Sequence, residues 1–307
     1  MTAECTACGS DHIRAVSPWL SRCDSCGLYR SALAAGPGQA FDGLEDIRRR
    51  NFELLASDIA KVRMLAGSTV LEVGCAKGWF LEEAKRRGAI VLGIEPVEPD
   101  AKAAEQAGLT VVRGLFPAAA EGLGPFDIIV FNDVFEHLPD PSSAARAAED
   151  LLAPGGLLVI NLPSSRGTIF KLATLMNTLG LAGPFERMWQ KGLPSPHLSY
   201  FSPANLDLLV AWHTGLQQVR TMVLPTVSRK GLGKRLSSRS VGLPSFVVGP
   251  LIWMLSFALP LLPADIHVGM FQKRSDADRG RAVDSISGGG NQSRAANQWL
   301  DGHSHTR

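Results

Sequence analysis

Thr69-Val70-Leu71-Glu72-Val73-Gly74-Cys75-Ala76-Lys77-Gly78 runs directly into Trp79-Phe80-Leu81-Glu82-Glu83-Ala84-Lys85-Arg86-Arg87-Gly88, and the reading of this stretch decides the fold. A five-residue apolar run stops at a glycine-bounded turn, and an amphipathic stretch ended by Gly88 follows. Strand, turn and helix in that order make the first half of a parallel crossover unit. Working outward, the pattern repeats: a strand at 90–94, a helix at about 99–107, strands at 110–113 and 127–131, a helix around 142–152 and a strand at 157–162. The alternation predicts an α/β fold, a Rossmann-like, doubly wound parallel sheet.

Upstream, Ile47, Leu54, Leu55, Ile59, Val62 and Leu65 recur at helical spacing among charged residues, which predicts a flanking helix. Residues 31–40 are rich in Ala, Gly and Pro and read as a linker. Before them, Cys5-Thr-Ala-Cys8-Gly9 and Cys23-Asp-Ser-Cys26-Gly27 place two cysteine pairs 14 residues apart. Each pair sits on a tight turn whose following glycine lets backbone amides approach the thiolates. Four sulfurs at this spacing suit tetrahedral Zn, closed to water and therefore structural. The metal ligands are thus expected to be Cys5, Cys8, Cys23 and Cys26, on a small zinc ribbon.

Composition narrows the function classes. The 307 residues carry 31 Lys+Arg against 29 Asp+Glu, a net charge of +2 that argues against a surface built wholly for nucleic acid. At 45% hydrophobic residues and a mean hydropathy of +0.07, the chain lies on the apolar side of ordinary soluble proteins. The first residues lack a charged start followed by an apolar core, so the expected location is the cytoplasm, where paired cysteines favour metal over disulfide.

The turn at 74–78 presents unpaired backbone amides at a strand end, which implies a nucleotide-like cofactor. It lacks the patterns that wrap a triphosphate or a dinucleotide pyrophosphate. Glu95, 21 residues after Gly74 at the end of the next strand, is placed to accept hydrogen bonds from both hydroxyls of a ribose.

Five blocks in order carry a family resemblance: Leu71-Glu-Val-Gly-Cys-Ala-Lys-Gly78, Gly93-Ile-Glu95-Pro96, Phe126-Asp-Ile-Ile-Val-Phe-Asn-Asp-Val-Phe-Glu-His-Leu-Pro139, Leu152-Ala-Pro-Gly-Gly-Leu157 and His197-Leu-Ser-Tyr-Phe-Ser202. The chain resembles the class I S-adenosylmethionine-dependent methyltransferases, in particular a bacterial group with an N-terminal zinc-ribbon-like segment. The resemblance covers about residues 66–225, and more loosely 5–30 and 265–273. It implies a seven-stranded sheet whose last strand is antiparallel, met here by a hairpin of 217–224 with 266–272. It also implies a cofactor site of Glu72, Gly74, Cys75, Ala76, Gly78, Glu95, Pro96 and Asn132, with Asn132 and Asp133 beside the reactive methyl group. Two positions depart from the family pattern. Ala76 stands where glycine is usual, and Arg113-Gly-Leu-Phe116 lacks the acid that often meets the adenine, leaving that contact to backbone near Leu115 and Phe116.

Methyl transfer to oxygen needs a base, and the candidate catalytic residues are His137, His197 and Asp133. Each histidine has a structural alternative: His137 as a tie for its own loop, His197 as a buried ring packed by Tyr200 and Phe201. Cys75 reads as a small packing residue of the turn rather than a nucleophile.

Between residues 208 and 264 there is no Asp or Glu, while Arg220, Arg229, Lys230, Lys234, Arg235 and Arg239 are basic, and 240–264 is uncharged. Pro244, Pro250, Pro260 and Pro263 interrupt this run, so it does not read as a membrane span. It reads as an interfacial contact with anionic lipid through 229–264, or else as a packed helical subdomain or dimer interface. The expected organisation is a metal module at 1–30, a linker and helix at 31–65, a catalytic domain at 66–273 with an insertion at 226–264, and a disordered tail at 274–307. The expected activity is O-methylation of a small or lipid-linked acceptor, a sugar or an isoprenoid-type ring, by a cytoplasmic enzyme peripheral to the inner face of the membrane. A catalytically silent scaffold and an RNA methyltransferase are the competing readings, the latter disfavoured by the absence of an RNA-reading module.

Overall fold

A computed structural model describes residues 4–36, 45–226 and 263–275. Most of the insertion, the central part of the linker and most of the tail lie outside the described residues.

The expected strand and helix order is present. Strands β4 (Thr69–Val73), β5 (Ile90–Glu95), β6 (Val111–Arg113), β7 (Phe126–Asn132) and β8 (Leu152–Pro163) are parallel, linked by α2 (Trp79–Arg86), α3 (Glu98–Gln106) and α4 (Pro141–Leu151). After α7 (Pro203–His213), β10 (Gln217–Leu224) and β11 (Ile266–Gln272) complete a seven-stranded sheet of order β10-β11-β8-β7-β4-β5-β6. Strand β11 runs antiparallel to both neighbours, pairing Leu224 with Ile266 and Ile160 with Gly269. This is the class I methyltransferase arrangement expected from the resemblance.

The central strands read as continuous apolar runs because helices cover both faces. Ile128, Ile129, Val130 and Phe131 of β7 are all fully buried. On one face Val70, Ile128, Val130 and Val159 pack with Phe52, Leu55 and Ile59 of α1 (Glu45–Ile59). On the other, Ile129, Phe131 and Ile160 pack with α4 and α7. Local chemistry starts both helices on that side. Asp140 accepts from Ser142 N and Ser143 N ahead of Pro141, and Ser202 with Asn205 makes a reciprocal cap ahead of Pro203.

Strands β1 (Ile13–Ser17), β2 (Leu20–Cys23) and β3 (Tyr29–Ser31) form the ribbon's antiparallel sheet. It does not end there, because β3 also pairs with the two-residue strand β9 (Ser199–Tyr200). Position 30 therefore falls inside a strand shared with the rest of the fold. Cys5, Ala7, Cys23 and Leu28 belong to the same buried cluster as Leu206, Leu209 and Val210 of α7. Two further helices, α5 (Thr168–Thr178) and α6 (Ala182–Met188), fill the region after β8 where the sequence shows no clear alternation. Their Phe170, Phe185 and the following Trp189 form an aromatic cluster with Trp19 and Tyr29 of the ribbon and with Tyr200.

Candidate functional site

All the parallel strands deliver their carboxyl ends to one side of the sheet, and a cavity of about 820 Å³ lies there. One end is formed by the turn after β4. Gly74 N donates to Ile94 O at 2.7 Å with φ +68°, which locks the turn against β5. Ala76 adopts φ +46°, the left-handed region that glycine usually fills. Its amide donates to Glu95 Oε2 at 2.8 Å, and Val97 N donates to Glu95 Oε1 at 2.8 Å. These two bonds hold the Glu95 carboxylate at the cavity wall, where burial raises its pKa against the pull of both amides.

Below the turn a buried polar chain joins three strand ends. Asn132 Nδ2 donates to Glu72 Oε1 at 2.7 Å, and Asn161 Nδ2 donates to Asn132 Oδ1 at 3.2 Å. Burial pushes the Glu72 carboxyl up to about 8 despite the Asn132 bond, and its Oε2 has no partner. Glu72 opens onto a small adjoining pocket with Cys75, Lys77 and Trp79.

Another part of the cavity wall carries two histidines. His137 Nδ1 donates to Pro196 O at 2.9 Å, which leaves Nε2 with a free lone pair. Gln190 Nε2 donates to His197 Nε2 at 2.9 Å, and the two imidazoles meet edge to face at 4.7 Å between centroids. Glu136, 1% exposed, lies between them, its Oε1 3.9 Å from His137 Nε2 and 4.0 Å from His197 Nε2. Burial and the neighbouring Asp133 charge keep Glu136 well above the usual carboxylate range. Burial lowers both histidines, His197 to about 3 with a further push from His137. Both imidazoles are thus neutral near pH 7, and burial opposes ionisation of the carboxyl between them. The three groups are compact enough to surround a cation, although Gln190 already occupies the His197 Nε2 lone pair.

Of the expected cofactor residues, Gly74, Ala76, Glu95, Pro96 and Asn132 line the main cavity together with Asp133, His137 and His197. Gly114, Leu115 and Phe116 line it at the end of β6, and none of the three is acidic. Cys75 and Gly78 face elsewhere. Cys75 is buried against Gly93 and Leu81, and burial pushes its thiol well above its ordinary value. At Gly78, φ +80°, an added Cβ would overlap Leu109 Cδ1. Arg48, Glu136, Gln190 and Ser195 are cavity residues that the sequence reading missed. Arg48 reaches from α1 to within 3.4 Å of Asp133 Oδ2, and only the Glu136-His137 adjacency carried any local signal.

The ribbon gathers Cys5, Cys8, Cys23 and Cys26, with all four sulfurs within 4.8 Å of one another. Gly9 N donates to Cys5 O and Gly27 N to Cys23 O, both glycines at positive φ, which gives the two tight turns expected. Four thiols this close cannot all ionise unaided. The hydrogen bond between Cys5 and Cys26 lowers Cys5 to about 5 and raises Cys26, a proton sharing that a divalent cation would replace. The donor set fits structural Zn.

Residues 45–221, more than half of the chain, match the family model described as Methyltransferase domain. The chain belongs to that family, the class I S-adenosylmethionine-dependent methyltransferases. Among curated relatives, the ubiquinone biosynthesis O-methyltransferase of Xanthomonas oryzae pv. oryzae is 33% identical over 150 residues, 46% of this chain and 59% of that protein. The protein of the same name from Xanthomonas euvesicatoria pv. vesicatoria is 36% identical over 162 residues, 50% of this chain and 64% of that one. The match to these relatives therefore spans less than two thirds of their length. Among solved structures, one from Galdieria sulphuraria, described as a sarcosine dimethylglycine methyltransferase, superposes with a TM-score of 0.50 at 18% identity, covering 78% of this chain and 94% of that chain. A chain of the complex between the Haloferax volcanii Trm112 methyltransferase activator and a methyltransferase superposes with a TM-score of 0.50 at 15% identity, over 76% of this chain and 92% of that one. Both likenesses show the fold.

Proposed function

We propose that this chain is an S-adenosylmethionine-dependent O-methyltransferase whose acceptor is a hydroxyl on a lipid-linked, isoprenoid-type ring. The observation that carries the reading is one cavity lined by both the Glu95 carboxylate and a neutral histidine bearing a free Nε2. The donor set suits the cofactor, because the Glu95 carboxylate lines the cavity as an acceptor with lone pairs beyond its two amide bonds, and the orphaned Glu72 Oε2, protonated near neutrality, is a buried donor beside the same turn. When bound, S-adenosylmethionine supplies a methyl group on a sulfonium, whose departure leaves a neutral thioether.

The chain's own residues do the rest. Glu95 and the turn at 74–78 fix the ribose end, and Asn132 and Asp133 border the space between that end and the acceptor. His137 Nε2 would take the proton that the acceptor's hydroxyl gives up on methylation. The lowered pKa of His137 keeps it unprotonated at neutral pH, ready for that step. Ile169, Met188, Leu193 and Ile266 give the acceptor side an apolar wall, which favours a ring with a hydrocarbon chain over a sugar. The relatives named for ubiquinone biosynthesis support the same acceptor class.

No helix among the described residues is long and apolar enough to cross a membrane. We place the chain at the cytoplasmic surface of the inner membrane, held by the basic and apolar sequence at 229–264. That sequence returns to the fold at the start of α5, where Thr168 Oγ1 donates to Pro263 O at 2.8 Å, and α5 exposes Leu172 and Leu175 with Leu179 just beyond its end. Two measurements test the proposal. Calorimetry should show S-adenosylhomocysteine binding, and labelled methyl should pass to a prenylated catechol in preference to a sugar or RNA. An intact fold that binds no S-adenosylhomocysteine would overturn it. Flotation with anionic liposomes should be lost when 229–264 is removed, and equal flotation of both chains would discard the membrane contact.

A further inference from the structure

We infer that the four-cysteine ribbon positions the side chain of His137, acting through β3 and the segment 195–200, and so shapes the acceptor half of the cavity independently of the cofactor half. The role of His137 as base rests on the function proposed above; its positioning does not.

The argument follows the hydrogen bonds outward from the imidazole. The tautomer and plane of His137 are set by its Nδ1 bond to Pro196 O, with Ser195 Oγ at 3.3 Å from the same nitrogen. Pro196 cannot be fixed by a backbone N–H of its own. Its position comes from the residues that follow. Leu198 N donates to Glu136 O at 2.8 Å, tying this segment to the stretch that bears His137. Its opposite edge is held by the ribbon. Ser31 N donates to Leu198 O and Ser31 Oγ to His197 O, each at 2.9 Å. Arg30 spans the junction, with Nη1 donating to Ser199 Oγ at 2.7 Å and Nη2 to Pro139 O at 2.8 Å. One guanidinium thus joins the two chain segments whose spacing decides where His137 points.

Strand β3 takes its own position from the cysteine turns. Cys23 N donates to Leu28 O at 2.9 Å, and Tyr29 pairs with Arg22, so the second turn leads directly into Tyr29–Ser31. The ribbon is in turn seated on α7, where His213 Nε2 meets Thr6 O at 2.7 Å and Asn205 Nδ2 donates to Cys26 O at 3.4 Å. Glu95, by contrast, is held by Ala76 and Val97, which belong to the loops of the main sheet. A metal that ties the two cysteine turns together therefore fixes β3, and through it Pro196 and His137, without acting on the cofactor end.

The test uses the full chain with ¹⁵N-labelled histidine. In the zinc-loaded wild type the His137 ring should show a single tautomer, protonated on Nδ1, and S-adenosylhomocysteine should bind by calorimetry. The Arg30→Gln and Ser31→Ala double variant should bring the two ring nitrogen shifts of His137 together, as tautomers mix, while the S-adenosylhomocysteine Kd stays within about twofold. Ser31→Thr, which keeps the hydroxyl, should retain the wild-type spectrum, and removing zinc with a chelator should reproduce the double variant. Unchanged His137 signals in the double variant or the zinc-stripped chain would overturn the proposal. So would a fall in S-adenosylhomocysteine affinity that parallels the histidine change, which would make the ribbon a support of the whole fold. A wild type that binds no S-adenosylhomocysteine would defeat the methyltransferase reading instead, and the histidine signals would still decide this one.

Discussion

Replacing Glu95 by glutamine separates what this carboxylate does for the fold from what it does for a ligand. In the protein each oxygen accepts one backbone amide at 2.8 Å, Oε1 from Val97 and Oε2 from Ala76, and the side chain is 5% exposed. A glutamine amide has one acceptor. Whichever way it turns, its NH₂ meets either the Ala76 or the Val97 amide, so one charge-assisted bond worth about 1.5–3 kcal/mol is replaced by two donors facing each other. Part of that loss is offset because burial already disfavours the Glu95 charge, as its raised pKa shows. The expected net destabilisation is about 1–2 kcal/mol, read as a lower urea midpoint with an unchanged slope. For the ligand the offset does not apply. A ribose hydroxyl that loses a charged acceptor gives up about 1.5–3 kcal/mol, so S-adenosylhomocysteine should bind roughly 10- to 100-fold more weakly by calorimetry. A Glu95→Gln variant that keeps its affinity within twofold would refute the assignment of this carboxylate to the ribose. A variant as stable as wild type would refute the account of the two amide bonds.

Three further outcomes are expected. Glu72 has a folded pKa of about 8, above the usual carboxylate value, so the folded state keeps a proton that the unfolded state gives up between about pH 4.5 and 8. Stability contributed by this group is present below that window and declines through it, by at most about 1.4 kcal/mol per pH unit; Glu72→Gln should flatten the urea-midpoint profile there, and an unaltered slope would count against a buried, protonated Glu72. Gly78→Ala should cost about 2–4 kcal/mol, from left-handed backbone strain at φ +80° and overlap with Leu109, with Leu109→Ala in the same chain less damaging than the sum of the two changes. Purified protein should hold one Zn per chain by atomic absorption, and Cys26→Ser should lower both zinc content and melting temperature; a wild type that contains no zinc would remove the metal assignment.

What was legible in the sequence was what short-range chemistry determines. The β4 run, the glycines at 74 and 78 and the amphipathic α2 are contiguous, and the helical and strand periods are set within a few residues. The four cysteines carry their own spacing. Glu136 and Arg48 gave little or no such signal, because their place at the cavity depends on contacts across more than 50 residues, Arg48 with Asp133 and Glu136 with Leu198. Gly78 shows the converse: its turn is local, but its close approach to Leu109 is visible only in the packed structure. Helices α5 and α6 escaped for another reason. In α5, Leu172 and Leu175 are exposed and Phe170 and Ala173 buried, so apolar residues lie on both sides of the helix and no clean amphipathic period marks it. Strand β9 is two residues long, too short to carry any pattern.

The placement of β11 bears on how the chain is made. Strand β11 lies between β8 and β10, yet it is the last of the three to leave the ribosome, after residues 225–265 have been synthesised. Until then the growing chain holds β8 with one edge open and β10 with no strand to join it to the sheet. The ribbon waits as well, since the partner of β3 is Ser199–Tyr200, far downstream. A nascent chain stalled within the insertion already holds the partner of β3 but not β11, so it still presents the open edges of β8 and β10, the situation in which holding chaperones are most needed.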